Sequence, residues 1–95
     1  MKEQTYYNKR EWLNDETSSS TSSVVCFDGI RDSEEGFYRR MYVEIADCRN
    51  KIKLHQSYTE TNEQFIAKLK KLNKELTDFI THLEKVEHAD IFTLN

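Results

Sequence analysis

Apolar residues along this chain change their period between its middle and its end, and each period marks an element. From Phe65 they fall at 65, 69, 72, 76, 79, 83 and 86, in alternating steps of four and three. That spacing puts them on one face of an α-helix. Thr61-Asn62-Glu63-Gln64 precedes the run and has the form of a capping box, in which the Thr hydroxyl and the Gln amide satisfy backbone groups that the first helical turn leaves without partners. Glu60 and Glu63 near the start, and Lys85 and His88 near the end, suit the helix dipole. The pattern predicts a helix over 61–88. Ile66 and Ile80 widen its stripe from two positions per heptad to nearly three, the breadth of a helix laid on a globular core rather than of a strict two-helix seam. Core packing is therefore the first expectation. Self-association through Phe65, Leu69, Leu72, Leu76, Phe79 and Leu83 is its companion, and both hold if a partly covered helix also pairs with its twin.

Upstream the period shortens to two. Phe37, Met41, Val43 and Ile45 share one side of an extended chain, and Ile52 and Leu54 do so after the polar stretch Asp47-Cys48-Arg49-Asn50. A hairpin centred on Cys48-Arg49 sets Ile45 opposite Ile52 and Val43 opposite Leu54, so that both pairs face inward. The rival is a second helix from about Ser33 with Phe37, Met41, Ile45, Cys48 and Ile52 as its stripe. Asp32-Ser33-Glu34-Glu35 resembles a helix start, and Glu35 to Arg39 and Asp47 to Lys51 have the favourable i,i+4 order. That helix would leave Val43 and Leu54 off its stripe, and those two residues favour the hairpin.

The stretch SSSTSSVVCFDG, residues 18–29, sets six hydroxyl residues against Val24-Val25-Cys26-Phe27. The apolar part is rich in strand formers and runs into Asp28-Gly29, a turn signal, so it reads as a short strand over 24–27 that needs a sheet to join. The hairpin supplies one. The expected fold is α+β: an antiparallel sheet of three strands near 24–27, 38–46 and 51–55, with a fourth over 6–13 as an option, backed by the C-terminal helix. The alternative is an all-α helical hairpin with a disordered N-terminal third. Either way, residues 1–95 read as one small domain, with a polar connector at 14–23 and a C-terminal tail at 89–95.

Composition sets limits. A chain of 95 residues leaves about a third of its unfolded surface exposed even when compact. With 37% apolar and 33% charged residues and a mean hydropathy of −0.83, the core is expected to be thin and the surface wet. No apolar run approaches membrane-spanning length. MKEQTYYNKREW has neither a hydrophobic signal region nor an Arg-rich, acid-free character, and the expected location is the cytoplasm. Cys26 and Cys48 show no CxxC or regular Cys/His spacing, so two reduced thiols are expected. The absence of proline and the wealth of Lys, Asn, Ile, Tyr and Glu point to an AT-rich genome, bacterial or phage.

The net charge of −3 is unevenly spread. Residues 1–35 hold four basic and eight acidic residues, 36–56 five and two, and 57–95 five and seven. The basic middle third makes the hairpin a candidate contact surface. With Val43, Ile45, Ile52 and Leu54 inward, Arg40, Tyr42, Glu44, Lys51, Lys53 and His55 share the outer face. This is a basic sheet face carrying an aromatic, suited to following a single-stranded backbone while Tyr42 stacks on a base. An ordinary solvated face with a Glu44 to Lys53 cross-strand pair is the plainer reading. A second candidate is the N-terminal segment, where Tyr6, Tyr7, Arg10 and Trp12 have the aromatic and Arg character that protein interfaces favour. Lys68, Lys70, Lys71 and Lys74 on the helix are interleaved with Glu75, Asp78 and Glu84, which reads as a solvated mixed face.

Catalytic chemistry finds little support. The Ser run lacks the glycines and the lysine of a phosphate loop. His55, His82 and His88 have no ligand spacing, and no cofactor or metal is expected. No hydroxyl or thiol stands in a recognisable nucleophile arrangement. The expectation is a small non-enzymatic protein-interaction module that self-associates as a homodimer. A single-stranded nucleic-acid binder using Arg40, Tyr42, Lys51 and Lys53 is the alternative.

Overall fold

The structure, a computed structural model, describes residues 2–19 and 21–85. Four strands, β1 (Gln4–Trp12), β2 (Ser22–Ser33), β3 (Gly36–Asp47) and β4 (Asn50–His55), form one antiparallel sheet in chain order, and a helix, α1 (Asn62–Lys85), follows. The protein is α+β, and the all-α hairpin is not what the chain forms. It divides into two compact units between Glu60 and Thr61. The first holds the sheet and the second holds α1.

The β3-β4 hairpin has the register that the period-two pattern requires. Ile45 pairs with Ile52, Val43 with Leu54 and Glu44 with Lys53. Its two-residue turn is Cys48-Arg49, and Cys48 sits at φ 53°. A left-handed backbone costs an L residue about 1–2 kcal/mol. The turn is held from outside, since the Cys48 N–H donates to the Thr21 carbonyl at 2.7 Å, a bond that needs no side chain. Cys48→Gly is therefore expected to stabilise the protein by about 0.5–1 kcal/mol, after the added entropy of glycine in the unfolded chain is subtracted. A urea midpoint that rises at unchanged slope is the readout; a falling midpoint would show that the thiol's own contacts outweigh the strain.

The strand through Val24-Val25-Cys26-Phe27 is much longer than the sequence suggests. It runs straight through Asp28-Gly29, which pair with Met41 and Arg40 on β3. Two local facts displace the expected turn. Asp28 is tied across the sheet to Arg39, and Gly29 lies against the β1 backbone. The turn comes later, at Glu34-Glu35, between the paired residues Ser33 and Gly36. Gly36 takes φ 115°, and the Ser33 hydroxyl donates to the Gly36 carbonyl at 2.8 Å while accepting from the Glu35 N–H at 3.3 Å. The Ser-Glu-Glu signature of a helix start thus serves a hairpin. Residues Ser22 and Ser23, expected in the connector, already belong to β2. The connector opens on Asp15, whose carboxylate accepts from the Thr17 N–H and hydroxyl, bonds that lower its pKa. The optional first strand is real and begins slightly earlier than expected, at Gln4.

In the second unit the capping box forms as its sequence demands. The Thr61 N–H donates to Gln64 Oε1 at 2.7 Å, and the Gln64 N–H donates to Thr61 Oγ1 at 3.1 Å. Lys74 and Asp78 pair at 2.7 Å one turn apart. Burial falls along α1: Phe65 is buried, Leu69 and Leu72 are half-buried, and every described residue from Asn73 onward is exposed. The expected end at 88 and the tail at 89–95, together with Val86 of the stripe, lie outside the described residues.

Candidate interaction face

Directly paired residues in an antiparallel ladder point to the same side of the sheet, so the register sorts every strand residue onto one of two faces. One face carries Arg10 and Trp12 from β1, Val25, Phe27 and Arg31 from β2, Tyr38, Arg40, Tyr42 and Glu44 from β3, and Lys51, Lys53 and His55 from β4. The other carries Val24, Cys26 and Ile30, then Phe37, Met41, Val43 and Ile45, then Ile52 and Leu54. The first face is basic and aromatic; the second is apolar.

The sequence pattern identified the members of these faces on β3 and β4 but not which face is covered. Ser23, Val25, Phe27 and Gly29 are buried, and they lie on the basic face. The residues expected inward are not sealed: Ile52 is 67% exposed and Ile45 37%, while Val43 and Leu54 are half-buried. Periodicity reports which side chains share a side. It is silent on what covers that side, because both faces of this sheet carry enough apolar atoms to serve.

On the basic face the aromatics are already engaged. Phe27 stacks on Tyr42 with ring centroids 5.2 Å apart, and Arg31 lies 4.3 Å from the Phe27 centroid. Lys53 and Arg40 sit at 4.3 and 5.1 Å from the Tyr42 ring, and Arg10 at 5.8 Å from Trp12. Each of these is a cation-π contact. Lys53 also reaches Glu44 at 3.7 Å, the cross-strand pair the sequence suggested. Arg40, Lys51, Lys53 and His55 therefore do come together on one face, with Tyr42 held among them. Arg31 was not foreseen there, because the Asp-Gly reading ended the strand at Phe27.

The N-terminal set divides. Arg10 and Trp12 join the basic face through pairing with Val25 and Ser23, whereas Tyr7 pairs with Asp28 on the apolar side. Tyr6 falls in a register shift between Thr5 and Tyr7 and lies under Arg39 at 5.1 Å. Arg39 also forks onto Asp28, Nε to Oδ1 at 2.5 Å and Nη2 to Oδ2 at 2.7 Å. That hydrogen-bonded fork lowers the Asp28 pKa and raises that of Arg39. A depressed carboxylate pKa contributes stability above the unfolded value and loses it as pH falls through the folded value. An Arg39→Gln variant is thus expected to be less stable than the parent by about 1 kcal/mol at pH 7. The gap should close below the ordinary carboxylate value of 3.8, as urea midpoints across pH 2–7 will show; a gap that persists at pH 2 would assign the loss to packing on Tyr6.

The apolar face has the form of a small sheet floor. Val24, Ile45 and Ile52 make one row across three strands, and Cys26, Val43 and Leu54 the next. It also carries two ion pairs, Asp28 with Arg39, and Lys9 with Glu11 at 3.3 Å. Of the expected self-association stripe, Phe65 is buried and Leu69 and Leu72 are half-buried; Leu76, Phe79 and Leu83 stay exposed, with Ile80 beside them. Cys26 and Cys48 are free thiols. No described group of three His, Cys, Asp or Glu side chains is arranged to hold a metal. No described helix is long and apolar enough to cross a membrane. No protein-family model, curated protein or solved structure matches this chain.

Proposed function

We propose that this chain is a protein-interaction module whose binding surface is the apolar face of its sheet. One observation carries the reading. Among the described residues only Val25, Phe27 and Phe65 are buried apolar side chains, while Ile45, Ile52, Phe37 and the exposed half of the α1 stripe face solvent. On the sheet, Ile45 and Ile52 are direct cross-strand partners, and large apolar side chains exposed side by side characterise surfaces that meet a partner. The rings of Phe27 and Tyr42 on the basic face are already engaged, which leaves the apolar face as the less satisfied surface.

The test is a variant with both Ile45→Lys and Ile52→Lys. The basic-face residues Val25 and Phe27 are unchanged in it, so it is expected to keep its far-UV circular dichroism and cooperative unfolding while losing association in sedimentation. Loss of the fold would show that the two isoleucines are core, and the reading would fail.

A second reading has its own support. Arg10, Arg31, Arg40, Lys51 and Lys53 share one face with Glu44 as the acidic member of its paired residues, although the whole chain is acidic. Such segregation suits a polyanion, and a single-stranded nucleic acid is the ligand it favours. Trp12, with Arg10 beside it, and Tyr38 are the exposed rings of this face that would stack on bases. Binding of a labelled oligonucleotide should weaken with salt along a log-log slope of up to about 3.5 for five contacts; no binding at low salt would dispose of it.

A further inference from the structure

Resting on the reading of the apolar sheet face as a binding surface, we infer that its occupant is the C-terminal half of α1 from a second copy of this chain. The chain itself exposes the matching element. From Leu76 onward α1 presents Leu76 (49% exposed), Phe79 (58%), Ile80 (53%) and Leu83 (48%). These four make a stripe three positions wide. A stripe of that breadth covers a sheet better than it fills the narrow seam of a two-stranded coil, and helix on sheet is one of the few layer arrangements that seals both apolar surfaces.

Area decides between the ways two copies can meet. From their exposures and the full size of each side chain, Phe37 (42% exposed), Ile45 (37%) and Ile52 (67%) offer roughly 300 Å² on the sheet and the helix stripe roughly 400 Å² per copy. Sheet on sheet would bury about 600 Å² of these residues in total and helix on helix about 800 Å², both below the usual 1,200–2,000 Å² of a stable pair. A reciprocal exchange, each helix on the other copy's sheet, buries both surfaces at once and reaches roughly 1,400 Å². Twofold symmetry closes this exchange into a dimer, whereas one-way docking would propagate into a filament.

Cys26 lies within the patch, which gives a direct test. In a Cys48→Ser background, Phe79→Cys, Ile80→Cys and Leu83→Cys are introduced one at a time and oxidised mildly at tens of micromolar. Light scattering is expected to give twice the 11.4 kDa chain mass. At least one variant should yield a dimer band on a non-reducing gel whose peptide map joins Cys26 of one chain to the helix cysteine of the other. A chain of single mass overturns the inference. So does a dimer that links only Cys26 to Cys26, only helix to helix, or not at all in all three variants. As a second arm, Phe79→Asp should remain helical and become monomeric; a dimeric Phe79→Asp would also overturn it. These failures are distinct from failure of the interaction-module reading, which the paired lysine variant tests through its fold. A monomeric wild-type chain beside a folded lysine variant leaves the face for a different protein.

Discussion

Replacing Phe27 with alanine is expected to cost about 3–4 kcal/mol, the largest single loss among the substitutions considered. Phe27 is 6% exposed and is one of three buried apolar side chains among the described residues. Its ring is the floor on which Tyr42 stacks from one side and Arg31 lies from another. Truncation removes the ring, leaves a cavity, and frees an Arg and a Tyr whose positions depended on it. With so few buried residues there is little neighbouring material to collapse into the gap, which keeps the cost within the usual range. Small domains have only about 5–10 kcal/mol in total, so the urea midpoint should fall by about half. The contrast with Ile52→Ala is the control. Ile52 was read from the sequence as core, yet it is mostly exposed, and in the absence of association its truncation should cost less than about 1 kcal/mol. If the two variants lose equal stability in dilute solution, the basic face does not hold the core.

That comparison shows where the sequence was legible and where it was not. The β3-β4 register followed from Val43, Ile45, Ile52 and Leu54 because a one-residue slip would flip every side chain, which makes register a strongly encoded quantity. The capping box at Thr61 was equally plain, because its two hydrogen bonds are local and depend on four consecutive residues. The Asp28-Gly29 turn failed for the opposite reason: glycine has two uses, and only contact with β1, remote in sequence, selects close approach over a turn. The Glu34-Glu35 turn carries no Asn-Gly signal and relies on Gly36 and the Ser33 hydroxyl instead. Inside and outside were the least legible. The face of Arg40, Tyr42 and Lys53 looks solvated when β3 and β4 are read alone, and only the pairing of Val25 and Phe27 with Glu44 and Tyr42 places buried residues there. The candidate basic cluster was therefore found, but its N-terminal half, Arg10 and Trp12, was assigned to a separate site because strand order is not written in either segment.

Gly29→Ala, a change of one methyl group, should cost about 2–3 kcal/mol. A Cβ built on Gly29 would stand 2.6 Å from the Gln4 carbonyl oxygen, 2.8 Å from Phe27 Cζ and 3.2 Å from Phe27 Cε1. The Phe27 ring edge can rotate or shift, but the Gln4 oxygen is backbone and belongs to β1. Relief therefore requires β1 to move away near the register shift between Thr5 and Tyr7, where its ladder is already interrupted. Amide exchange should accordingly speed up along β1 while β3 and β4 keep their protection, since the atoms nearest the added methyl group belong to β1 and to Phe27 of β2. Gly36 provides the comparison. It needs glycine for its φ of 115°, but nothing lies within 4 Å of its would-be Cβ, so Gly36→Ala should lose only about 1 kcal/mol and leave β1 protected. The two Phe27 contacts also predict coupling. In a Phe27→Ala background the Gly29 methyl loses its two close ring contacts and enters space the ring has vacated, so the double variant should be more stable than the sum of the single losses by about 0.5–1 kcal/mol. Strict additivity in that cycle would mean that the clash with β1 carries the whole cost, and that Gly29 is required for strand approach alone.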